Sequence, residues 1–205
     1  MKYTLLLITD GRDDYLTRTM CSAMVALPSP HEVVLVDDRE HRLGFAGAVQ
    51  AGWDRILETD AELIFHLEAD FVFNERIDLE SMAALVSDPH IAQVALKRQP
   101  WNEAEKAAGG IVELDPDSFE EGHHDSVTRF GHRDTYTAHR KFFTTNPSVY
   151  RRDIAERGWP QEDRSEGKFS IELFKDPHVV STFWGGKFDA PKVHHIGDER
   201  AGHGY

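Results

Sequence analysis

Apolar residues in the first half of the chain follow two alternating patterns, short continuous runs and longer stretches with helical spacing. The continuous runs are short enough for strands buried on both faces, and they cover residues 3–8, 33–36, 63–67 and 91–96. The stretches between them repeat apolar residues every three or four positions, which predicts helices over residues 16–27, 45–56 and 79–86. Such alternation with short connections predicts an α/β fold with a mostly parallel, Rossmann-like sheet flanked by helices.

The pattern loosens after residue 97, and the predicted elements there are shorter. A helix is predicted over residues 101–110, and strands are predicted over residues 142–145 and 179–184. Residues 120–137 are rich in His, Asp, Arg and Gly and have almost no periodicity, which predicts a mobile loop.

Two further helices are predicted from the residues at their ends. Asn146-Pro147 combines an N-cap residue with proline at the first helical position, so a helix is expected from there to about residue 157. Ser165 is expected to cap another helix, which Asp176-Pro177 would end.

Acidic residues follow each of the first three predicted strands. Asp10 comes after the first strand, Asp37-Asp38 after the second, and Glu68 and Asp70 after the third. If the strands are parallel, these carboxylates cluster at one edge of the sheet, where ligands bind in open α/β folds. The Glu-x-Asp spacing places both acids on one side of an extended chain and favours a divalent cation as their partner. The alternative is that the acids only face water or cap the turns that follow.

Net charge and cysteine content narrow the function classes. The 205 residues carry a net charge of −13, which argues against a general nucleic-acid or anionic-membrane binder. Cys21 is the single cysteine, so an intrachain disulfide and a cysteine-rich zinc site are excluded, and its surroundings predict a packed thiol. The run at residues 3–8 is too short for a signal peptide or a membrane span, so we expect a cytoplasmic protein without membrane insertion.

Motifs with potential chemistry are spread over nearly the whole chain. In order they are Thr9-Asp10-Gly11-Arg12, Asp37-Asp38, Gly44 opening a helix, Glu68-Ala69-Asp70, Thr145-Asn146-Pro147-Ser148, Ser165-Glu166, and His194-His195-Ile196-Gly197 followed by Arg200. This series resembles the small GT-A glycosyltransferases, especially the family-2-like enzymes, some of which are encoded by phages. The acidic motif departs from the family pattern, because it is Glu-x-Asp and not Asp-x-Asp.

The resemblance implies one GT-A domain over residues 1–205, with a nucleotide-sugar-binding half at 1–97 and an acceptor and catalytic half at 98–205. The implied activity is a metal-dependent, inverting transfer of a sugar from a nucleotide-diphospho-sugar, with a UDP-sugar as the expected donor. Asp70 and His195 are the implied ligands of Mn²⁺ or Mg²⁺, which would assist the departing diphosphate. Glu68 would either ligate the metal or hold the ribose and the metal-bound waters. The implied donor-binding residues are Thr9, Asp10, Arg12, Asp37, Asp38, Gly44, Glu68 and Arg200.

An inverting enzyme also needs a base for the acceptor hydroxyl, and Glu166 occupies the position of the family's carboxylate before a helix. Asp163 and Glu172 are rivals, and a favourable charge on the helix dipole is the alternative role for Glu166. The acceptor would be a protein, a glycan or a modified DNA base.

Two other functions remain open at this point. A nucleotidyltransferase on a similar sheet would favour a more glycine-rich first loop than Thr9-Asp10-Gly11-Arg12. A non-catalytic nucleotide-sugar-binding module would have no reason to keep both Glu166 and His195.

Overall fold

The computed structural model of the chain describes residues 2–39 and 41–197. These residues form an eight-stranded sheet with helices on both faces and a separate two-stranded sheet. In chain order the strands are β1 (Thr4–Thr9), β2 (Glu32–Asp37), β3 (Leu63–Glu68), β4 (Phe71–Phe73), β5 (Ile91–Ala95), β6 (Phe119–Asp125), β7 (Arg133–His139), β8 (Ser148–Arg151), β9 (Val180–Trp184) and β10 (Val193–His195). The α-helices are α1 (Asp13–Ala26), α2 (Gly44–Leu57), α3 (Leu79–Val86), α4 (Glu103–Ala108), α5 (Ile111–Leu114), α6 (Arg152–Ala155) and α7 (Ser165–Leu173), with a 3₁₀ turn at Pro116–Ser118.

The large sheet has the strand order β2-β1-β3-β8-β5-β9-β7-β6. β1 lies between β2 and β3 and is parallel to both, and β5 is parallel to β9. β8 is antiparallel to β3 and β5, and the β6–β7 hairpin extends the sheet beside β9, also antiparallel. The predicted α/β fold with a large flanked sheet is therefore confirmed. Parallel pairing is confirmed for β1 with β2, for β1 with β3, and for β5 with β9. The other strand pairs are antiparallel, so the sheet as a whole is mixed.

Side chains of β1 alternate between two cores, one on each face of the sheet. Leu5 and Leu7 pack with residues of α1 and α3, whereas Leu6 and Ile8 pack with residues of α2 and α7. Within the described residues, even the longest helices, α1 and α2, lack the length and apolarity needed to cross a bilayer.

The helix predicted from Asn146-Pro147 is wrong, because β8 and the single turn α6 occupy this segment. The segment reaches the middle of the sheet, where Val149 and Tyr150 are fully buried on opposite faces. Strand neighbours on both sides supply the backbone hydrogen bonds, so tertiary pairing overrides the local helix-start signal.

The mobile loop predicted over residues 120–137 is also wrong, because most of it belongs to the β6–β7 hairpin. Seven residue pairs connect the two strands at the edge of the sheet. An edge hairpin exposes many of its side chains, so backbone pairing forms there without a strong apolar pattern.

Two burial predictions and one short strand are corrected as well. Cys21 lies on the exposed side of α1 and is not packed, because Thr19, Ala23 and Ala26 form the buried face. The predicted second buried strand is the edge strand β2, which exposes Val33 and Leu35. Residues 142–145 are not a strand, because the backbone N–H groups at 144 and 145 donate to side chains.

Candidate functional site

The ends of β1, β2 and β3 meet at one edge of the sheet. Thr9 pairs with Asp37, and Ile8 pairs with Glu68, so the three strands end side by side. The expectation that their acidic ends lie together is confirmed by this register, which follows from parallel pairing.

Asp70 lies in the turn between β3 and β4 and is only 4% exposed. Arg12 Nη2 lies 3.2 Å from Asp70 Oδ2, and Arg12 Nε lies 2.9 Å from Asp10 Oδ2. The arginine therefore bridges the end of β1 to the turn after β3. Its guanidinium carbon also lies 4.2 Å from the centroid of the Tyr15 ring, which holds the side chain in place. This ion pair neutralises part of the charge of a carboxylate that burial would otherwise penalise.

His195 reaches Asp70 because β10 pairs antiparallel with β4, which sets His195 opposite Phe71. His195 Nε2 lies 3.2 Å from Asp70 Oδ2. A further contact between the two segments is the hydrogen bond from Ile196 N–H to the Asp70 carbonyl, at 2.7 Å. A Cβ at Gly197 would collide with the Asp70 carboxylate, so only glycine leaves this side of the carboxylate open.

Gln99 and two aromatic rings fix the position of His195. The Gln99 side chain accepts from the His195 backbone N–H and donates to the His195 carbonyl, both at 2.8 Å. The imidazole lies between Phe71 and Trp101, with ring centroids 4.6 Å and 4.3 Å away. Two backbone hydrogen bonds and two ring contacts therefore limit the rotation of this side chain.

A buried ion pair positions Trp101 in turn. Arg98 Nη1 lies 2.8 Å from Glu105 Oε2, and the same carboxylate accepts from the Trp101 backbone N–H. Glu105 also bonds the Asn102 side chain at the start of α4. The hydrogen bonds from Arg98 and Trp101 act against the desolvation of Glu105, and the net effect lowers its pKa.

The two acids after β2 have partners within the fold. Asp38 accepts hydrogen bonds from the backbone N–H groups of Leu43 and Gly44 at the start of α2. Asp37 accepts from the Arg39 backbone N–H and lies 3.4 Å from its guanidinium. Asp38 thus stabilises the beginning of α2, as the capping alternative expects, and it also lines the pocket described next.

Two connected concavities lie at this edge of the sheet and share Phe45, Glu68 and Asp70. The first, the narrow pocket, has a volume of about 30 Å³. Its lining consists of Ile8, Thr9, Asp10, Arg12, Asp38, Gly44, Phe45, Ala48, Glu68, Ala69 and Asp70. The second, the wide cleft, has a volume of about 720 Å³, within the usual range for small-molecule sites. Its lining consists of Phe45, Glu68, Asp70, Phe71, Arg98, Trp101, Ile111, Phe142, Thr144, Thr145, Asn146, Arg164, Ser165, Glu166, Phe183, His195 and Gly197.

Glu166 lines the wide cleft from the first turn of α7. Its Oε1 accepts a hydrogen bond of 2.9 Å from the Thr145 backbone N–H. Desolvation raises the pKa of this carboxyl, and the hydrogen bond from Thr145 offsets part of the increase. A carboxyl with a raised pKa beside a cleft has the property that a general base needs.

The other predicted site residues fall at different places. Asp163 and Glu172 are exposed, Glu172 is paired with Lys175, and neither is part of the lining of the wide cleft in the described chain. Asp37 is likewise outside both concavities as the described residues form them. Arg200 lies outside the described residues.

The residues around Asp70 suit a divalent cation. Two ligands that each lie about 2.2 Å from one ion, at right angles, are roughly 3 Å apart, close to the separation of Asp70 Oδ2 and His195 Nε2. No cluster of three or more His, Cys, Asp or Glu side chains occurs in residues 2–39 and 41–197 that could hold a metal ion. The chain thus offers a partial site, the kind that Mg²⁺ and similar cations complete with substrate phosphates and water.

Sequence reasoning missed the residues that position His195 and shape the wide cleft. Gln99, Trp101 and Arg98 lie just after β5 with no motif of their own. Asn102 followed three residues later by Glu105 was the available signal, because this spacing is typical of a helix start. The contacts of Gln99 and Trp101 with His195 could not be predicted from a single sequence, because they join distant parts of the chain.

Solved structures share this fold, although no family model and no curated protein match the chain. A 1–349 fragment of S. aureus TarS in complex with UDP-GlcNAc matches 99% of this chain and 60% of its own, with a TM-score of 0.61 and 15% identity. The mannosyltransferase PcManGT from Pyrobaculum calidifontis, in complex with GDP-Man and Mn²⁺, matches 97% of this chain and 58% of its own, with a TM-score of 0.61 and 12% identity. GalNAc-T7 with UDP, GalNAc and Mn²⁺ matches 96% of this chain and 44% of its own, with a TM-score of 0.56 and 13% identity.

These solved structures are GT-A glycosyltransferases, and the chain has their fold, as the sequence motifs predicted. The chain spans about 60% or less of the length of each of these three structures. At 12–15% identity the likeness defines the fold class and leaves the activity to be argued from the site.

Proposed function

We propose that the protein is a metal-dependent, inverting glycosyltransferase that moves a sugar from a nucleotide-diphospho-sugar to an acceptor hydroxyl. The observation that carries this proposal is the meeting of Asp70 and His195, with their side chains 3.2 Å apart, where the narrow pocket joins the wide cleft. These residues come from distant parts of the chain, so the fold brings a carboxylate that lines both concavities together with an imidazole that lines the wide cleft.

Asp70 and His195 would hold the cation from the protein side. A bound Mn²⁺ or Mg²⁺ would neutralise charge on the diphosphate as it leaves, and the imidazole ligand favours Mn²⁺. The burial of Asp70 and the aromatic contacts of His195 keep both side chains in one arrangement, which spares the reaction the cost of ordering them. Mn²⁺ in the crystals of PcManGT and GalNAc-T7 supports the same choice.

Glu166 would act as the base for the acceptor. The acceptor oxygen forms a bond to the anomeric carbon, the bond from that carbon to the diphosphate oxygen breaks, and Glu166 receives the hydroxyl proton. Attack on the face opposite the leaving group inverts the anomeric centre. Two observations support this role for Glu166: it lines the same cleft as Asp70 and His195, and burial raises the pKa of its carboxyl.

The donor would be a UDP-sugar, held along the ends of β1 and β3 and the start of α2. Thr9, Asp10, Asp38 and Gly44 line this side, and the matched structures in complex with UDP or UDP-GlcNAc support uridine. GDP is the competing nucleotide, because PcManGT binds GDP-Man.

A thermal titration tests this proposal. UDP with Mn²⁺ at a hundredfold excess over its Kd should add about 2.7 kcal/mol to the unfolding free energy, a rise of roughly 5–10 °C in Tm. UDP without Mn²⁺, and Mn²⁺ without UDP, should give much smaller shifts. The same titration with GDP shows which nucleoside diphosphate gives the larger Mn²⁺-dependent rise in Tm.

The matched variants are Asp70→Asn, which should abolish the Mn²⁺-dependent shift, and Asp163→Asn, an exposed control that should keep it. If no nucleoside diphosphate raises Tm in a Mn²⁺-dependent way, the proposed function is wrong. If the shift occurs but no UDP-sugar is ever turned over, the non-catalytic binding module is the correct interpretation.

A further inference from the structure

Arg12 and His195 both contact the same oxygen of Asp70. Arg12 Nη2 and His195 Nε2 each lie 3.2 Å from Asp70 Oδ2. A cation that took this oxygen at about 2.2 Å would therefore meet a guanidinium group already bonded to it.

The buried Asp70 carboxylate would then lie between the cation and Arg12, which is also paired with Asp10. The repulsion between a dication and Arg12 is strong at this separation, because the Asp70 side chain is only 5% exposed and water screens the site poorly. Added negative charge, such as the diphosphate of the donor, relieves the repulsion and keeps both cations in place.

Arg12 also lies at the pocket that the diphosphate would enter. Its ion pairs join Asp10 to Asp70, and all three residues line the narrow pocket. A phosphate group that enters this pocket therefore meets the Arg12 guanidinium beside Asp70. The Arg12 side chain is 28% exposed, and Asp10 holds it through two contacts of 2.9 and 3.0 Å, so it can leave Asp70 while remaining at the pocket.

We propose that Arg12 makes the cation and the nucleoside diphosphate bind as a unit, by occupying Asp70 until the diphosphate arrives and then pairing with its phosphate oxygens. The ligand of the site is thus a metal–nucleoside diphosphate complex, and the free cation is disfavoured. This inference rests on the proposed function, because it requires the cation at Asp70.

Titration of Mn²⁺ with and without UDP, followed by the electron paramagnetic resonance signal of free Mn²⁺, tests the inference on wild type and Arg12→Gln. In wild type, saturating UDP should tighten Mn²⁺ binding by a factor in the range of roughly 5- to 150-fold that is usual for coupled sites. In Arg12→Gln, Mn²⁺ alone should bind tighter than in wild type by a similar factor, and UDP should add little further.

Two variants complete the experiment. Arg12→Lys keeps the charge and should keep Mn²⁺ alone weak, and it serves if Arg12→Gln fails to fold. Arg18→Gln removes one exposed charge from α1 and should behave as wild type. The inference is wrong if Arg12→Gln binds Mn²⁺ alone no tighter than wild type does. It is also wrong if Arg12→Lys, which keeps the charge, shows the increase in Mn²⁺ affinity that is expected for Arg12→Gln. If wild type binds UDP equally with and without Mn²⁺, the proposed function fails instead.

Discussion

The ends of β1, β2 and β3, which are the donor side of the cleft in the proposed function, are charged and ion-paired. By contrast, the acceptor side in that proposal, at residues 98–101, 142–146 and 164–166, is mainly aromatic and hydroxyl-bearing. The donor side rests on parallel strands whose register sets its residues in place. The acceptor side consists mostly of segments between strands and helices, held by side-chain contacts to distant residues. The difference teaches that parallel strand register brings the charged residues of the proposed donor side together, whereas the shape of the proposed acceptor side depends on connections that the sheet only anchors.

This contrast separates two kinds of effect. Changes on the donor side should alter the binding of UDP and Mn²⁺, and changes at Glu166 should alter turnover with binding intact.

The largest effect is expected for Asp70→Asn. The variant keeps the size of the side chain but removes the charge that would hold the cation, so UDP binding should lose its Mn²⁺ dependence. Turnover should fall about 1,000-fold or more, because metal stabilisation of the leaving group is worth several kcal/mol. Calorimetry of UDP binding and UDP release from a UDP-sugar measure the two losses. Unchanged Mn²⁺-dependent binding in Asp70→Asn would place the cation elsewhere.

The next effect is expected for Glu166→Gln, which should bind UDP and Mn²⁺ as wild type does and lose about 10²- to 10⁴-fold in turnover, the usual contribution of a general base. Because desolvation raises the pKa of Glu166, wild-type turnover should fall with decreasing pH at values above the ordinary glutamate pKa of 4.5. That dependence should be absent from the residual activity of the variant. Glu172→Gln, at an exposed residue paired with Lys175, is the matched control. Full activity in Glu166→Gln would mean that another group is the base.

The donor side could be predicted from the sequence because its signals are local. An apolar run followed by an acid, as in residues 63–70, defines both a strand and the residue at its end, and parallel pairing then aligns successive ends. His195 was placed only through the family resemblance, since the β4–β10 pairing joins residues far apart in sequence.

The acceptor side was harder to predict because its structure also depends on contacts between residues far apart in sequence. β8 forms because two neighbouring strands accept it, and the hydrogen bonds between Gln99 and His195 join residues 96 positions apart. Local propensity at Asn146-Pro147 favoured a helix, and tertiary pairing decided against it. Such contacts have no signature in a single sequence.

A smaller effect is expected for Gln99→Ala, which removes both side-chain hydrogen bonds to the His195 backbone. Loss of a supporting group of this kind lowers metal affinity by roughly 10- to 100-fold. Mn²⁺ affinity in the presence of UDP is the measurement. Gln161→Ala removes a glutamine that bonds the Ala46 carbonyl outside the wide cleft, so it is the control. Equal Mn²⁺ affinity in the two variants would show that Gln99 does not position His195.

The last prediction concerns stability, and it uses one buried histidine in each half of the chain. Burial lowers the pKa of His66 in β3 and of His139 in β7 to about 3. Below the ordinary pKa of about 6.5 the unfolded state binds protons that the folded state does not, so stability falls as pH decreases from 6.5 towards 3. Each histidine should contribute about 1.4 kcal/mol per pH unit.

Urea denaturation at pH 7 and pH 5 measures this loss. His139→Phe should remove about half of the pH-dependent loss that the two histidines cause, in a single transition if both halves unfold together. His31→Gln, at an exposed histidine, should leave the loss unchanged. An unaltered pH dependence in His139→Phe would mean that His139 is protonated in the folded protein.

The most direct test of the central claim, that Asp70 and His195 hold the cation on which the diphosphate is bound, is pulsed electron paramagnetic resonance of the Mn²⁺–UDP complex. The predicted spectrum contains couplings to ³¹P of the diphosphate and to the nitrogen of one imidazole, and ¹⁵N labelling of histidine should shift the nitrogen coupling. In His195→Ala the nitrogen coupling should disappear. Phosphorus couplings without any histidine nitrogen in the wild-type protein would contradict the account.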